Sequence, residues 1–348
     1  YMSFIDFNEI VRQAWEEYDP SREIVRIEDI SAKVSTNHVY RITLKDHNFI
    51  VAKLSYFGKY EHFVEDHTII NSLSNNLPDP YENFLARSLM KGNQLFVHRY
   101  KDDVIDAWVV FYRPIKIRNK LPRRLNEDQI VKLGREIARF HKACDTVRHT
   151  LPPSAKTMNV DIDGLLETLD TSDGKFEYGL YMDMIYQQCR EFKDNYKALD
   201  ADSLQAIPVF VDWNIGNFSV TNSFRLFSRW DYDWFRMSSR IMDFYFFSRV
   251  VSDAGDRTIF TYNIDVLMHD RFLLFLKSYH EVFPLTEQEI LLLRETYRFF
   301  LLTYVVKYGR YFFHEIFATK LQKDTFELHL PSVDTDFNPK PLLEALNL

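Results

Sequence analysis

Two short segments carry residue types that could do chemistry together. In Val209-Phe-Val-Asp-Trp-Asn-Ile-Gly-Asn-Phe218, Asp212 and Asn217 stand five residues apart after an apolar strand end. A second apolar run follows (Phe218, Val220, Phe224, Leu226) and ends on Asp231 and Asp233 within Trp230-Asp-Tyr-Asp-Trp234. Such a hairpin can place one carboxylate beside a reacting hydroxyl. It can also set an amide oxygen and a second carboxylate around a Mg2+ ion. Phosphoryl transfer needs those parts: a base or orienting carboxylate, and oxygen ligands for metal-bound phosphates. Asp and Asn are common turn residues as well, so the first segment alone also reads as a plain turn. The second segment, at its distance, favours the chemistry.

The elements that must hold these segments can be read along the chain. At 348 residues there is enough chain for two lobes, each with its own core. Residues 3–18 have the mixed apolar spacing of a short amphipathic helix, and 25–30 reads as a strand. Residues 39–45 and 49–55 alternate around Asp46-His47-Asn48, which predicts a hairpin. A helix over 59–73 and strands over 89–99 and 107–112 complete a small α+β lobe, expected at 1–113. After Pro114 the pattern turns helical, and 114–348 is expected to form a larger, mostly helical lobe. Asn126 with Gln129, and Thr286 with Glu289, read as capping boxes flanked by apolar staples. Ile130, Leu133, Ile137, Phe140 and Cys144 form one stripe. Further helices are expected over 175–199, 238–253, 258–282 and 286–317, with an irregular polar tail from Asp324.

Composition narrows the function classes. Hydrophobic residues make up 46% and charged residues 27%, the balance of an ordinary globular protein. The formal charge is −7 and no Lys/Arg block is long enough to hold a nucleic acid, so none is expected as a partner. Cys144 and Cys189 give neither a disulfide framework nor a metal spacing, and both read as small apolar helix residues in a reducing compartment. The start carries no basic-then-apolar signal pattern, and the most apolar run, 299–306, is too short to span a bilayer. A cytoplasmic protein without a membrane partner is expected.

Lys53 lies in a strand of apolar neighbours, where an inward cation costs several kcal/mol unless it is paired. An edge-strand lysine pointing to water is the plain alternative.

Asp212-x-x-x-x-Asn217 followed by Trp230-Asp-Tyr-Asp233 resembles the paired motif of the aminoglycoside phosphotransferase and choline kinase family. There an HGDxxxxN loop precedes an apolar-Asp-(Phe/Trp)-(Asp/Glu) segment at about this interval. Phe210 stands in place of the motif's His and Val211 in place of its Gly. The likeness covers roughly 25–320 and is sharpest over 209–244. It implies an α+β, protein-kinase-like fold with a small antiparallel-sheet N-lobe and a larger helical C-lobe.

The same resemblance implies the site. Lys53, in Phe49-Ile-Val-Ala-Lys-Leu54, would hold the α- and β-phosphates of ATP. Its carboxylate would come from the following helix, where Glu61 and Glu65 are candidates and Glu65 is favoured. Ser35, Thr36 and Asn37, in a loop without glycine, would donate to phosphates. Tyr112 and its neighbours would lie at the adenine edge. Asp212 would act as base or orienter, Asn217 and Asp231 as Mg2+ ligands, and Asp233 at a second metal or on the loop. Asp243 would brace the catalytic loop, and His141 would be a buried helix histidine. ATP and Mg2+ are therefore the expected cofactors, and a small hydroxylated molecule the partner: an aminoglycoside, choline, ethanolamine, homoserine or a sugar. Aromatics near 230–247 would suit a cationic alcohol, although core packing explains them more simply. A kinase-like binding or regulatory module is the alternative. A protein kinase fits less well, since only nine residues separate Asp233 from Asp243.

Overall fold

Tyr40, Ile42 and Leu44 alternate with less buried neighbours, and Ile50, Ala52 and Leu54 face the same way. In the computed structural model, which describes residues 4–32, 38–255 and 261–348, these two sets line the core of an antiparallel sheet. The N-terminal elements run α1 (Phe7–Tyr18), β1 (Ile24–Asp29), β2 (His38–Leu44), β3 (Phe49–Ser55), α2 (Tyr60–Asn76), β4 (Met90–Lys91), β5 (Gln94–Leu95), β6 (Val97–Lys101) and β7 (Asp106–Tyr112). The sheet order is β1-β2-β3-β7-β6. Lys53 sits in register between Val39 and Val110, so β3 is paired on both sides and is no edge. Trp15 of α1 packs edge-on against Phe111 beneath the sheet.

The rest of the chain is mostly helical. It comprises α3 (Glu127–Val147), α4 (Met158–Leu169), α5 (Ser172–Tyr178), α6 (Met182–Ala198), β8 (Ile207–Val209), β9 (Phe218–Val220), β10 (Leu226–Arg229), β11 (Arg236–Ser238), α7 (Phe244–Val250), α8 (Asp270–Val282) and α9 (Glu287–Phe300). It ends with α10 (Gly309–Phe312), α11 (Glu315–Asp324), α12 (Leu330–Asp336) and α13 (Lys340–Leu346). Both capping boxes form, at Asn126–Gln129 and Thr286–Glu289. β9 pairs with β10, and β8 with β11, so the two candidate segments hang from short ladders. The architecture is two-lobed, with a small antiparallel sheet and a larger helical body.

Several expected elements are cut differently. The helix expected over 175–199 breaks between Tyr178 and Met182, at Gly179, because glycine is a poor helix interior. The one expected over 238–253 starts as a 3-10 turn, Arg240–Asp243, and 286–317 passes into π-helical turns, Leu301–Lys307. The tail is helical rather than irregular. Pro341 sits in a first turn, where a missing N–H costs no bond, Pro331 comes just after the π-helical turns Thr325–His329, and Leu330, Val333, Leu342 and Leu346 are buried. Trp234, Phe235, Phe244, Tyr245, Phe246 and Phe247 are core residues, which leaves no aromatic cage among them for a cation. Cys144 and Cys189 are buried on α3 and α6. Among the described residues no helix is long and apolar enough to cross a membrane.

Candidate active site

The loop after β8 is fixed by what flanks Asp212. Trp213 is fully buried against Phe84, Phe140, Phe210, Phe218 and Phe247, which leaves its neighbour Asp212 half-buried at the edge of that cluster. Short-range bonds then turn the chain: Asn214 N donates to Asp212 Oδ1 at 3.2 Å, and Asn217 N to the Asn214 carbonyl at 2.9 Å. Val211 has φ 65°. A β-branched residue in the left-handed region costs about 1–3 kcal/mol and persists only where its surroundings hold it.

Asp243 supplies that hold. Its Oδ1 accepts from Phe210 N at 3.1 Å and Val211 N at 2.8 Å. Its Oδ2 meets His141 Nε2 at 2.7 Å, and His141 Nδ1 meets the Tyr279 hydroxyl at 2.6 Å. All of this is buried, so His141 supports a brace and does not face the cleft. Replacing Asp243 by Ala strands two backbone N–H groups and a histidine. We expect a loss of about 3–5 kcal/mol in urea unfolding, and a loss under about 1 kcal/mol would contradict the brace.

The second segment is tied to the first. Trp230 N donates to the Asn217 carbonyl at 3.1 Å, and Arg229 Nη2 to the Asp212 carbonyl at 2.6 Å. Asp231 has φ 70°, a conformation Asp tolerates, and its Oδ1 accepts from Asp233 N at 3.1 Å. Tyr232 points the other way, its buried hydroxyl donating to the Ala86 carbonyl at 2.8 Å. Asn217 and Asp231 carry the amide oxygen and the carboxylate that could hold a cation beside this junction. These hard oxygens suit Mg2+, which takes one or two carboxylates and completes its shell with waters and phosphates. Among the described residues no group of three or more His, Cys, Asp and Glu side chains could hold a metal by itself.

Lys53 arrives from the other lobe. Its Nζ lies 2.8 Å from Asp233 Oδ2, with both side chains 9% exposed. Burial pulls the ammonium down, but Asp233 and Asp231 more than offset this and raise its pKa above the usual lysine value. Burial lifts the Asp233 carboxyl to about 6, with Lys53 opposing and Asp231 adding to the lift. Asp233 is therefore the carboxylate that holds the lysine, a role expected of Glu65.

Glu65 instead accepts from Ala155 N at 2.6 Å. The reason lies in helix geometry. Tyr60 and Phe63 of α2 turn to Trp108, and His67 turns to Tyr112, so the sheet-facing stripe is 60, 63 and 67. Glu65 is two residues past Phe63, about 200° around the helix and away from β3.

Tyr112 was expected at the adenine edge, in a hinge that gives backbone hydrogen bonds. Its hydroxyl bonds His67 Nε2 and its ring meets Tyr232, so the side chain is turned into the protein. Anything it offers an adenine must come from its backbone. Ser35, Thr36 and Asn37 lie outside the described residues.

His67 makes a testable pH element. Nδ1 faces the Phe63 carbonyl at 3.0 Å, which can only accept, so Nδ1 carries the proton and Nε2 accepts from Tyr112. Burial lowers its pKa from 6.5 to about 4; the Phe63 carbonyl opposes and Lys156 and Lys53 assist. Above pH 6.5 the ring is neutral in both folded and unfolded states. As pH falls from 6.5 towards 4, only the unfolded chain takes the proton, so stability is lost. Asp66, raised by burial to about 6, titrates in the same window with the opposite sign. The difference between wild type and His67→Gln isolates the histidine. From pH 7 to 4.5 the variant should gain about 2 kcal/mol on wild type in urea unfolding. Parallel pH curves would contradict a neutral buried His67.

Sequence reasoning missed a set of buried charges nearby. Lys156 pairs with Asp66 and donates to the Phe235 carbonyl at 2.7 Å. Arg236 pairs with Asp161 and donates to the Tyr304 hydroxyl at 3.1 Å. These pairs line a cavity of about 50 Å3 beside Asp233. Asp66, between Glu65 and His67, gave no signal, whereas Arg236, after Trp234 and Phe235 and before Met237, gave that of a charge in an apolar frame. Arg229, at the end of an apolar strand, carried the same signal.

No family model matches the chain, and no curated protein matches it. Solved structures do. An amicoumacin kinase, hAmiN, in complex with AMP-PNP, Ca2+ and Ami superposes with TM-score 0.62 at 13% identity, covering 97% of each chain. A microcompartment-associated aminopropanol kinase gives TM-score 0.54 at 15% identity, over 91% of this chain and 93% of the other. Spectinomycin phosphotransferase APH(9)-Ia, in complex with ADP and spectinomycin, gives TM-score 0.52 at 12% identity, over 97% and 100%. At these identities the likeness is one of fold: the chain has the two-lobed fold of protein-kinase-like phosphotransferases.

Proposed function

We propose that this protein is a Mg2+-dependent phosphotransferase that moves the γ-phosphate of ATP to a hydroxyl of a small molecule, bound between a lobe of 1–113 and a lobe of 114–348. The observation that carries the reading is the convergence of three segments distant in sequence. Lys53 of β3 meets Asp233 at 2.8 Å, and Trp230 meets Asn217 at 3.1 Å. That draws a cation, a base candidate and two metal-ligand candidates to one place.

In this reading Lys53 binds the α- and β-phosphates, held in aim by Asp233. Asn217 and Asp231 would hold the metal. A bound Mg2+ would neutralise charge on the β- and γ-phosphates. Asp212 orients the attacking hydroxyl and accepts its proton. Ser35, Thr36 and Asn37 would reach the phosphates, and the backbone from Tyr112 onward the adenine. Rate enhancement then comes from positioning and charge neutralisation, without a covalent intermediate.

The test is ADP release from Mg-ATP against a panel of amino alcohols, aminoglycosides, homoserine and sugars. Release that depends on both one acceptor class and Mg2+ supports the reading. Absence of any Mg-ATP binding removes it. A second reading, a nucleotide-binding module with little transfer, is favoured by one observation: Lys53 is already neutralised by Asp233 and only 7% exposed. Nucleotide binding with no acceptor-dependent turnover across the panel would select it.

A further inference from the structure

Arg229 is the last residue of β10 and is completely buried. Its backbone is fixed on both sides: its N–H donates to the Phe84 carbonyl at 2.7 Å, and its carbonyl accepts from Ala86 N at 3.0 Å. From this anchored point the guanidinium reaches into the junction of the two chemistry-bearing segments. Nη2 donates to the Asp212 carbonyl at 2.6 Å and makes a longer contact, 3.4 Å, to the Asp231 carbonyl. The guanidinium carbon lies 4.8 Å from the Phe210 ring centroid and 4.6 Å from that of Trp213. No carboxylate forms an ion pair with it among the described residues, and Nε and Nη1 have no hydrogen-bond partner there.

This is a poor arrangement for stability alone. A buried guanidinium with no carboxylate at ion-pair distance is expensive, and Asp212, Asp231 and Asp243 offset only part of the cost of its burial. Phe210 and Trp213 already supply an apolar lining that a methionine would satisfy. What an apolar side chain could not supply is a donor aimed at the carbonyls of residues 212 and 231 together.

We propose that Arg229 is a positioning residue for the transfer reaction, a buried clamp that fixes the Asp212 loop against the Asp231 segment. The proposal rests on the phosphotransferase reading. The clamp acts on backbone, so it sets the distance between the base and the metal-ligand pair without touching substrate. The face of the same guanidinium rests on Phe210 and Trp213, which gives Phe210 a task in this chain: it is the platform on which the clamp lies. A displacement of about 1 Å between reacting groups can cost about 100-fold in rate, so a loosened clamp should be visible in turnover.

The experiment compares Arg229→Met and Arg229→Gln with wild type, reading kcat, KM for ATP and the thermal midpoint. The expected result for Arg229→Met is a kcat lower by about 100-fold, a KM for ATP within about threefold, and an unfolding midpoint lower by about a few degrees at most, because the Asp212 carbonyl loses its donor. Arg229→Gln, which keeps one donor, should fall between the two, and it decides the matter if the Met variant does not fold. Activity of Arg229→Met within threefold of wild type overturns the clamp. So does an activity loss that only follows a fall in the thermal midpoint, since that marks a merely structural arginine. Should wild type bind Mg-ATP yet transfer to nothing, the phosphotransferase reading fails by itself. The clamp is then read from ADP affinity with and without Mg2+. Tightening by Mg2+ in wild type that is lost in Arg229→Met supports it, and equal tightening in both overturns it. Wild type with no Mg2+-dependent nucleotide binding sinks both proposals.

Discussion

Asp212→Ala should lower kcat by about 1,000-fold or more while Mg-ATP binds within about threefold of wild type. The separation of the two effects follows from geometry. The loop that carries Asp212 is held by Trp213 in the core and by Asp243 on the Phe210 and Val211 amides, not by the Asp212 carboxylate. That carboxylate is half-buried and accepts a 3.2 Å bond from Asn214 N within the turn. Its removal should therefore cost under about 1 kcal/mol of stability. The phosphate and metal groups assigned to Lys53, Asn217 and Asp231 stay in place, so the nucleotide still binds. Acceptor-dependent ADP release and calorimetric titration with Mg-ATP check the two halves. A variant that keeps more than a tenth of wild-type turnover would remove Asp212 from the chemistry.

The second large effect concerns Lys53. Asp233→Ala strands a buried ammonium at the centre of the molecule, and breaking such a pair on one side costs about 3–5 kcal/mol. The same change frees the lysine from its aim, so kcat/KM for ATP should fall by about tenfold or more. Glu65→Ala is the matched control. Glu65 meets Ala155 N and is remote from Lys53, so its replacement should shift stability by about 1 kcal/mol at most and leave ATP kinetics unchanged. Urea unfolding and ATP kinetics on both variants decide between the two carboxylates. The reverse pattern, a damaging Glu65→Ala beside a silent Asp233→Ala, would mean that the lysine is held from α2 after all.

The contrast between Glu65 and Asp233 marks where sequence reasoning runs out. The β2–β3 hairpin was readable because alternation and the Asp46-His47-Asn48 turn agree, whereas the strand expected over 89–99 is three short ones, β4, β5 and β6. That the Asp212–Asn217 and Trp230–Asp233 segments belong together was readable because the apolar runs between them form a hairpin, and Trp230 N does donate to the Asn217 carbonyl. The bracing by Asp243 was expected from the resemblance, and its carboxylate does accept from the loop amides. The partner of Lys53 was not readable, because it depends on how α2 is rotated. That rotation is set by aromatic packing of Tyr60 and Phe63 on Trp108, across about 48 residues of intervening chain. The partner of the Tyr112 hydroxyl was not readable for the same reason: His67 lies on that helix. Arg229 and Arg236 each appear in sequence as a charge beside aromatic residues, and Asp66 as one of two adjacent carboxylates, patterns shared with surface residues. The helical tail was hidden by Pro331 and Pro341, which read as breakers although Pro341 starts a helix and Pro331 lies where one continues out of π-helical turns.

The most direct measurement is phosphorus NMR of Mg-ATP incubated with the protein and the acceptor panel, with Asp212→Ala alongside. The expected result is loss of the γ-phosphate resonance with growth of a phosphate ester on one acceptor class, in wild type only. ATP that stays intact with every acceptor, or that yields inorganic phosphate alone at the same rate in wild type and Asp212→Ala, would contradict phosphoryl transfer by this site.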